Sequence, residues 1–154
     1  MPILSKLTAL AVTLVSLGLA SMAEAQTAQP MKYVFEGDMV LGHACVLTSQ
    51  FKPFESVVWR VRVTDPKTGQ QMDDKALKGL VVEMSDGQKV PLKFHGHPPG
   101  PNPTDNFWST SWMIPEGHPT GTFSYKIVAI DLGGQETDWQ PFKVAPSEFT
   151  IVAK

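Results

Sequence analysis

Cysteine is almost absent from this chain. Among 154 residues only Cys45 is one, so no internal disulfide can form and stability has to come from a hydrophobic core. Beyond residue 25 there is no long apolar run approaching the roughly 20 consecutive apolar residues of a membrane span. Basic charge is not in excess either. Thirteen Lys and Arg stand against 15 Asp and Glu, a formal net charge of −2, which argues against nucleic acid or an anionic membrane surface as a partner, because both reward a basic patch. Helical periodicity is scarce, and so are signatures of catalysis. There is no Gly-x-Ser-x-Gly, no His-Glu-x-x-His, no phosphate-binding glycine loop and no Cys-x-x-Cys-His for covalent haem. Asp73, Asp74, Asp105 and Asp138 fall in turn-forming stretches, where capping or solvation accounts for them. An enzyme is not expected.

What is present begins with an address. Lys6 supplies a positive amino-terminal region, Leu7 to Ala20 an apolar one, and Ala23-Glu24-Ala25 a small-x-small cleavage site. Residues 1–25 are expected to be a cleaved signal peptide and residues 26–154 a single domain, periplasmic or secreted, large enough for one core and too small for two. The apolar region of the signal is short and broken by Thr and Ser, so no anchoring span is expected.

The clearest strand is the run from Pro119 to Gly134. Pro119 and Gly121 open it, Phe123, Tyr125, Ile127 and Ala129 alternate on one side, and Asp131, Gly133 and Gly134 close it. Met39 to Leu47 reads as another strand, with Met39, Leu41, His43, Cys45 and Leu47 on one face. Glu55 to Asp65 alternates Val57, Trp59, Val61 and Val63 with Val58, Arg60, Arg62 and Thr64. Leu80 to Met84 and Gln88 to Phe94 flank a Ser85-Asp86-Gly87 hairpin turn. Phe107 to Ile114 and Glu148 to Ala153 complete the set, while Pro98, Pro99, Pro101 and Pro103 make the stretch after His97 a stiff loop. About seven short strands separated by Gly, Pro and Asp turns predict an all-β, antiparallel sandwich.

The segment Thr120-Gly-Thr-Phe-Ser-Tyr-Lys-Ile-Val-Ala-Ile-Asp-Leu-Gly-Gly134, with Trp59 as a core tryptophan, resembles the pattern of bacterial immunoglobulin-like and fibronectin type III-like extracytoplasmic domains. That resemblance implies an immunoglobulin-like β-sandwich and no particular activity. The chain lacks the cysteine pair of antibody domains. The expected role is that of a non-catalytic binding or accessory module whose partner is another periplasmic protein.

Two chemical alternatives stand beside it. His43 and Cys45 are i, i+2 on one strand face, and counting strand directions back from the Pro119–Gly134 run brings His118 to their end of the sandwich, with Met113 close in sequence. Imidazole, thiolate and thioether suit copper or zinc, although Cys45 between Ala44 and Val46 also suits a packed core. The same count sends His95 and His97 to the opposite end. Trp108, at the start of its strand beside Asp105 and Asn106, is the better placed of two tryptophans to stack on a ligand. With His95, His97 and the proline-rich loop it outlines a site for a carbohydrate or another small ligand, while Trp112 is expected in the core.

Overall fold

The computed structural model describes residues 31–141 and 148–153, so the expected signal peptide lies outside the described residues. Everything described is strand, turn or loop; residues 73–77 form a tight turn in which the Asp73 carboxylate accepts from the backbone N–H groups of Lys75 and Ala76 at 3.0 Å. No helix among the described residues is long and apolar enough to cross a membrane. Cys45 is a free thiol.

In chain order the strands are β1 (Val34–Leu41), β2 (Val46–Leu47), β3 (Gln50–Phe51), β4 (Ser56–Thr64), β5 (Leu77–Met84), β6 (Lys89–His97), β7 (Asp105–Met113), β8 (Gly121–Phe123), β9 (Tyr125–Asp131), β10 (Glu136–Trp139) and β11 (Phe149–Ile151). Eight form one antiparallel sheet in the order β10-β9-β5-β6-β7-β4-β1-β2, and a smaller sheet runs β3-β11-β8 with β3 and β11 parallel. The order is not up-and-down, because β9 joins the far side of β5.

Period-two alternation explains the core. In β4 the inward residues Val57, Trp59, Val61 and Val63 are almost fully buried, while Arg60 and Arg62 point outward. Tyr125, Ile127 and Ala129 of β9 face them. The large sheet curls at β6, whose first half, Lys89 to Leu92, pairs with β5 and whose second half, from Lys93, pairs with β7. The curl brings distant strands face to face: Trp59 on β4 meets Tyr125 on β9 with ring centroids 6.0 Å apart, and Phe35 on β1 stacks on Trp139 of β10 at 5.9 Å. The small sheet closes one end of this core through Phe51, Phe123 and Phe149, with Phe149 edge-on to Trp59 at 6.0 Å. Burying such a ring completely is worth several kcal/mol, and truncating it to Ala costs about 3–5 kcal/mol.

Two expected strands are rearranged. The Pro119–Gly134 run is divided at Ser124: Gly121–Phe123 pairs with β11 and Tyr125–Asp131 with β5, so one continuous chain serves both sheets. Met39–Leu47 is not a strand throughout. Pairing with β4 starts earlier, at Val34, and ends at Leu41, where the backbone N–H of Cys45 donates to the Leu41 carbonyl at 2.8 Å and closes a turn. Cys45 takes the left-handed backbone conformation there, φ 50°. His43 and Cys45 therefore occupy an exposed hairpin turn instead of sharing a strand face, and Cys45 is not in the core.

Candidate functional site

Strands β1, β4, β7 and the second half of β6 turn one face away from the core. Alternation places on it Glu36 and Asp38, Arg60 and Arg62, Asp105, Phe107 and Ser109, and Lys93, His95 and His97. Register then arranges them in rows. Asp38 lies opposite Arg60, Arg60 opposite Ser109 and Ser109 opposite Lys93, while Glu36 faces Arg62, Phe107 faces His95 and Asp105 faces His97. A cleft of about 450 Å³ opens over the middle of this face, lined by Glu36, Asp38, Arg60, Arg62, Asp105 and Phe107.

Both arginines are held. Arg60 grips Asp38 in bidentate fashion, Nε donating to Oδ1 at 2.7 Å and Nη2 to Oδ2 at 2.6 Å. Hydrogen bonding to Asp38 raises the guanidinium above its ordinary range, against the opposing effect of partial burial. Arg62 reaches the other way across the sheet, Nη2 donating to Asp105 Oδ2, and the second oxygen of Asp105 accepts the backbone N–H of Asn106 at 2.8 Å. Around a third or more of each of these four side chains stays in contact with solvent. Pairs so exposed are worth only about 0–1 kcal/mol of stability, so their main effect is to fix where the remaining donors and lone pairs point.

Phe107 forms a buried floor beside them. His97 lies 5.4 Å and His95 6.3 Å from its ring, and His95 Nε2 is 3.0 Å from Ser109 Oγ. The site therefore combines an aromatic floor, two fixed guanidinium groups and several carboxylates in one concavity. It can recognise a ligand by hydrogen bonds. Its one serine–histidine contact, Ser109 with His95, has the serine buried at 8% exposure.

The residues singled out from sequence divide between two ends. His97 pairs with Asp105 at the start of β7, and Met113 at its finish pairs with Ser56, whose carbonyl accepts the N–H of Gly42 just before His43. His43, Cys45 and Met113 thus share the end opposite His97. His118 is at that end too, with its ring edge-on to Trp112 at 5.2 Å. Its side chain is only 4% exposed and both nitrogens are committed to acceptors, Nε2 2.9 Å from Asp86 Oδ2 and Nδ1 3.0 Å from the Pro119 carbonyl. Ligation by His118 would break one of these contacts. Among the described residues no three His, Cys, Asp or Glu side chains gather as a metal site requires, and Met113 is 61% exposed.

Trp108 corrects the sequence-based expectation most sharply. It is 3% exposed, packs edge-on against Phe94 at 5.6 Å, and its indole N–H donates to the Met72 carbonyl at 2.8 Å. Trp108 is a core residue on the inner face of β7, and it is Trp112 that is partly exposed. Of the three residues expected to bind a ligand, His95 and His97 do border the cleft-bearing face. Arg60, Arg62, Asp38, Glu36 and Phe107 were missed, since alternating charges along a strand read as a solvated surface. The usable signal was Arg60-Val61-Arg62, two arginines at i, i+2 on the open side of an otherwise valine-rich strand.

The sequence matches no protein-family model and shows no significant similarity to a curated protein. What can be said of its class rests on the fold and the cleft: an all-β domain built on a curled antiparallel sheet.

Proposed function

We propose that this chain is an exported, periplasmic β-sandwich of immunoglobulin-like type that works as a non-catalytic binding or accessory module, with the cleft over β1, β4 and β7 as its binding surface. The observation that carries this reading is the pair of arginines, each fixed by its own aspartate, lining a concave face beside a buried aromatic ring. Surface charge that only solubilises a fold has no need of such ordering. A preorganised polar face of this kind lowers the entropy lost when a ligand is captured. The amino-terminal address and the lack of disulfide, basic patch and catalytic motif are consistent with a small exported binding domain. Neither the exposed turn with His43 and Cys45 nor the committed ring of His118 adds support to a copper or zinc site.

A photo-crosslinking residue at position 36, on the rim of the cleft, tests the proposal against the same residue at the exposed position 136 on β10. After exposure to periplasmic extract and irradiation, mass analysis should find adducts at position 36 and not at 136. Equal labelling at both positions, or none, overturns it.

A further inference from the structure

We infer that the ligand class of this cleft is a neutral saccharide, recognised through vicinal hydroxyls by the arginine–aspartate pairs and through its C–H face by Phe107. This rests on the cleft being the binding surface proposed above.

Charge excludes the simpler alternatives. Arg60 and Arg62 face Glu36, Asp38 and Asp105, so a phosphate or a free carboxylate entering the cleft would meet more negative than positive charge. A cation would find one unpaired carboxylate, Glu36, which is too few ligands to hold a metal ion, because the two aspartates are already neutralised by their arginines. What remains unused is hydrogen-bonding capacity of both signs. Among the described residues no group takes Nε or Nη1 of Arg62 or Nη1 of Arg60, and Glu36 has neither an ion pair nor a hydrogen bond. Free donors and free acceptors therefore alternate within one concavity. A hydroxyl is both donor and acceptor, unlike a phosphate oxygen, an ammonium or a guanidinium. Adjacent hydroxyls on a sugar ring can accept from a guanidinium and donate to a carboxylate at once, without placing a new charge in the cleft.

The floor fits the same ligand. Phe107, 8% exposed and flanked by His95 and His97, lies among these polar groups, and the strip of its ring left open meets the C–H face of a pyranose while the hydroxyl edge meets the pairs. A volume of about 450 Å³ lies within the usual range for small-molecule sites, roughly 300–1,000 Å³. The bidentate hold of Asp38 on Arg60 means that the donor geometry is set before the ligand arrives.

The test is an amide NMR titration of the purified protein with three neutral disaccharides, cellobiose, maltose and N,N′-diacetylchitobiose. Diglycine and inorganic phosphate run in parallel arms. At least one disaccharide should move the amides of residues 36–38, 60–62 and 105–107 in a saturable way, and R62Q and E36Q should each weaken it by about tenfold or more, the loss of one charge-assisted hydrogen bond. Unchanged amide spectra of the free variants will show that they fold. Disaccharides that leave those amides unmoved overturn the inference. If diglycine or phosphate moves them instead, the saccharide class fails while the cleft stands as the binding surface. If no probe moves them and crosslinking at position 36 also fails, both fall together.

Discussion

Pro103 occupies the space into which a side chain at residue 96 would project. A Cβ built on Gly96 would overlap the Pro103 ring, with Cγ at 2.6 Å, and would come within 3.3 Å of Asn106 Oδ1. Gly96 sits in β6 opposite Asn106, so the proline-rich loop folds back across the sheet end and rests on the one residue without a side chain. The Asn106 amide can turn away, but the proline ring is stiff, so the main clash cannot be relieved by a rotamer change. Gly96→Ala should destabilise the protein by about 1–3 kcal/mol, read from urea unfolding. Gly79→Ala is the control, since nothing lies within 4 Å of its Cβ position, and it should be neutral or slightly stabilising. Equal losses in the two variants would mean that the loop does not pack on Gly96. The sequence identifies this loop as stiff, but what it packs against depends on a contact between residues 96 and 103 that no local pattern encodes. Gly37 teaches the same lesson. It reads as a break after a short edge strand, yet it lies inside β1 opposite Val61, where a Cβ would come within 3.3 Å of the Trp139 ring.

At the scale of elements, alternation was readable wherever a strand is long and buried on one face. β4, β5, β7 and the Tyr125–Asp131 part of the clearest run are in the sequence because their inward residues recur at period two. The short strands β2, β3 and β10 were not readable; two to four residues carry too little periodicity, and tertiary pairing alone makes them strands. Trp108 reads as exposed because Phe107 looks like the first residue of its strand. The strand begins at Asp105, so Trp108 lies within the paired region, opposite Val61 and Phe94. Tyr125 shows what burial on such an element does to a titrating group. At 5% exposure its hydroxyl is pushed up to about 12 by burial, with a smaller push from Asp38. An unfolded chain releases that proton near pH 10, whereas the folded protein keeps it. The stability contributed is full below pH 10 and is lost as pH rises towards about 12, an effect on the order of 2–3 kcal/mol. Tyr125→Phe should flatten the alkaline limb of the unfolding midpoint between those values. An identical limb in the variant would assign alkaline sensitivity to another group.

Across the whole molecule the curl of the large sheet carries strands far apart in its order into contact, and ion pairs tie this arrangement from outside. Lys32, just before β1, donates to Asp131 Oδ2 at 2.8 Å and to Gln135 at 2.9 Å, linking the start of β1 to the end of β9. Towards the other end of β9, Glu83 of β5 pairs with Lys89 of β6 and with Lys126 of β9, the latter at 3.1 Å. Hydrogen bonds from Lys32 hold Asp131 below its ordinary value of 3.8, and those from Lys89 and Lys126 hold Glu83 below 4.5. In this range the folded protein binds fewer protons than the unfolded chain. The contribution of both carboxylates is therefore present above about pH 4.5 and lost as the pH falls through the ordinary values to the lowered folded ones. Both groups are exposed, so salt screens the effect and its size is modest. The unfolding temperature followed from pH 6 to pH 2 should decline below about pH 4.5. Asp131→Asn and Glu83→Gln should each make that decline shallower, and the two effects should add, because the pairs share no partner and lie on separate parts of the sheet. Raising the ionic strength should reduce the difference between wild type and variants. A decline of the same depth in the double variant would show that neither ion pair governs the acid limb.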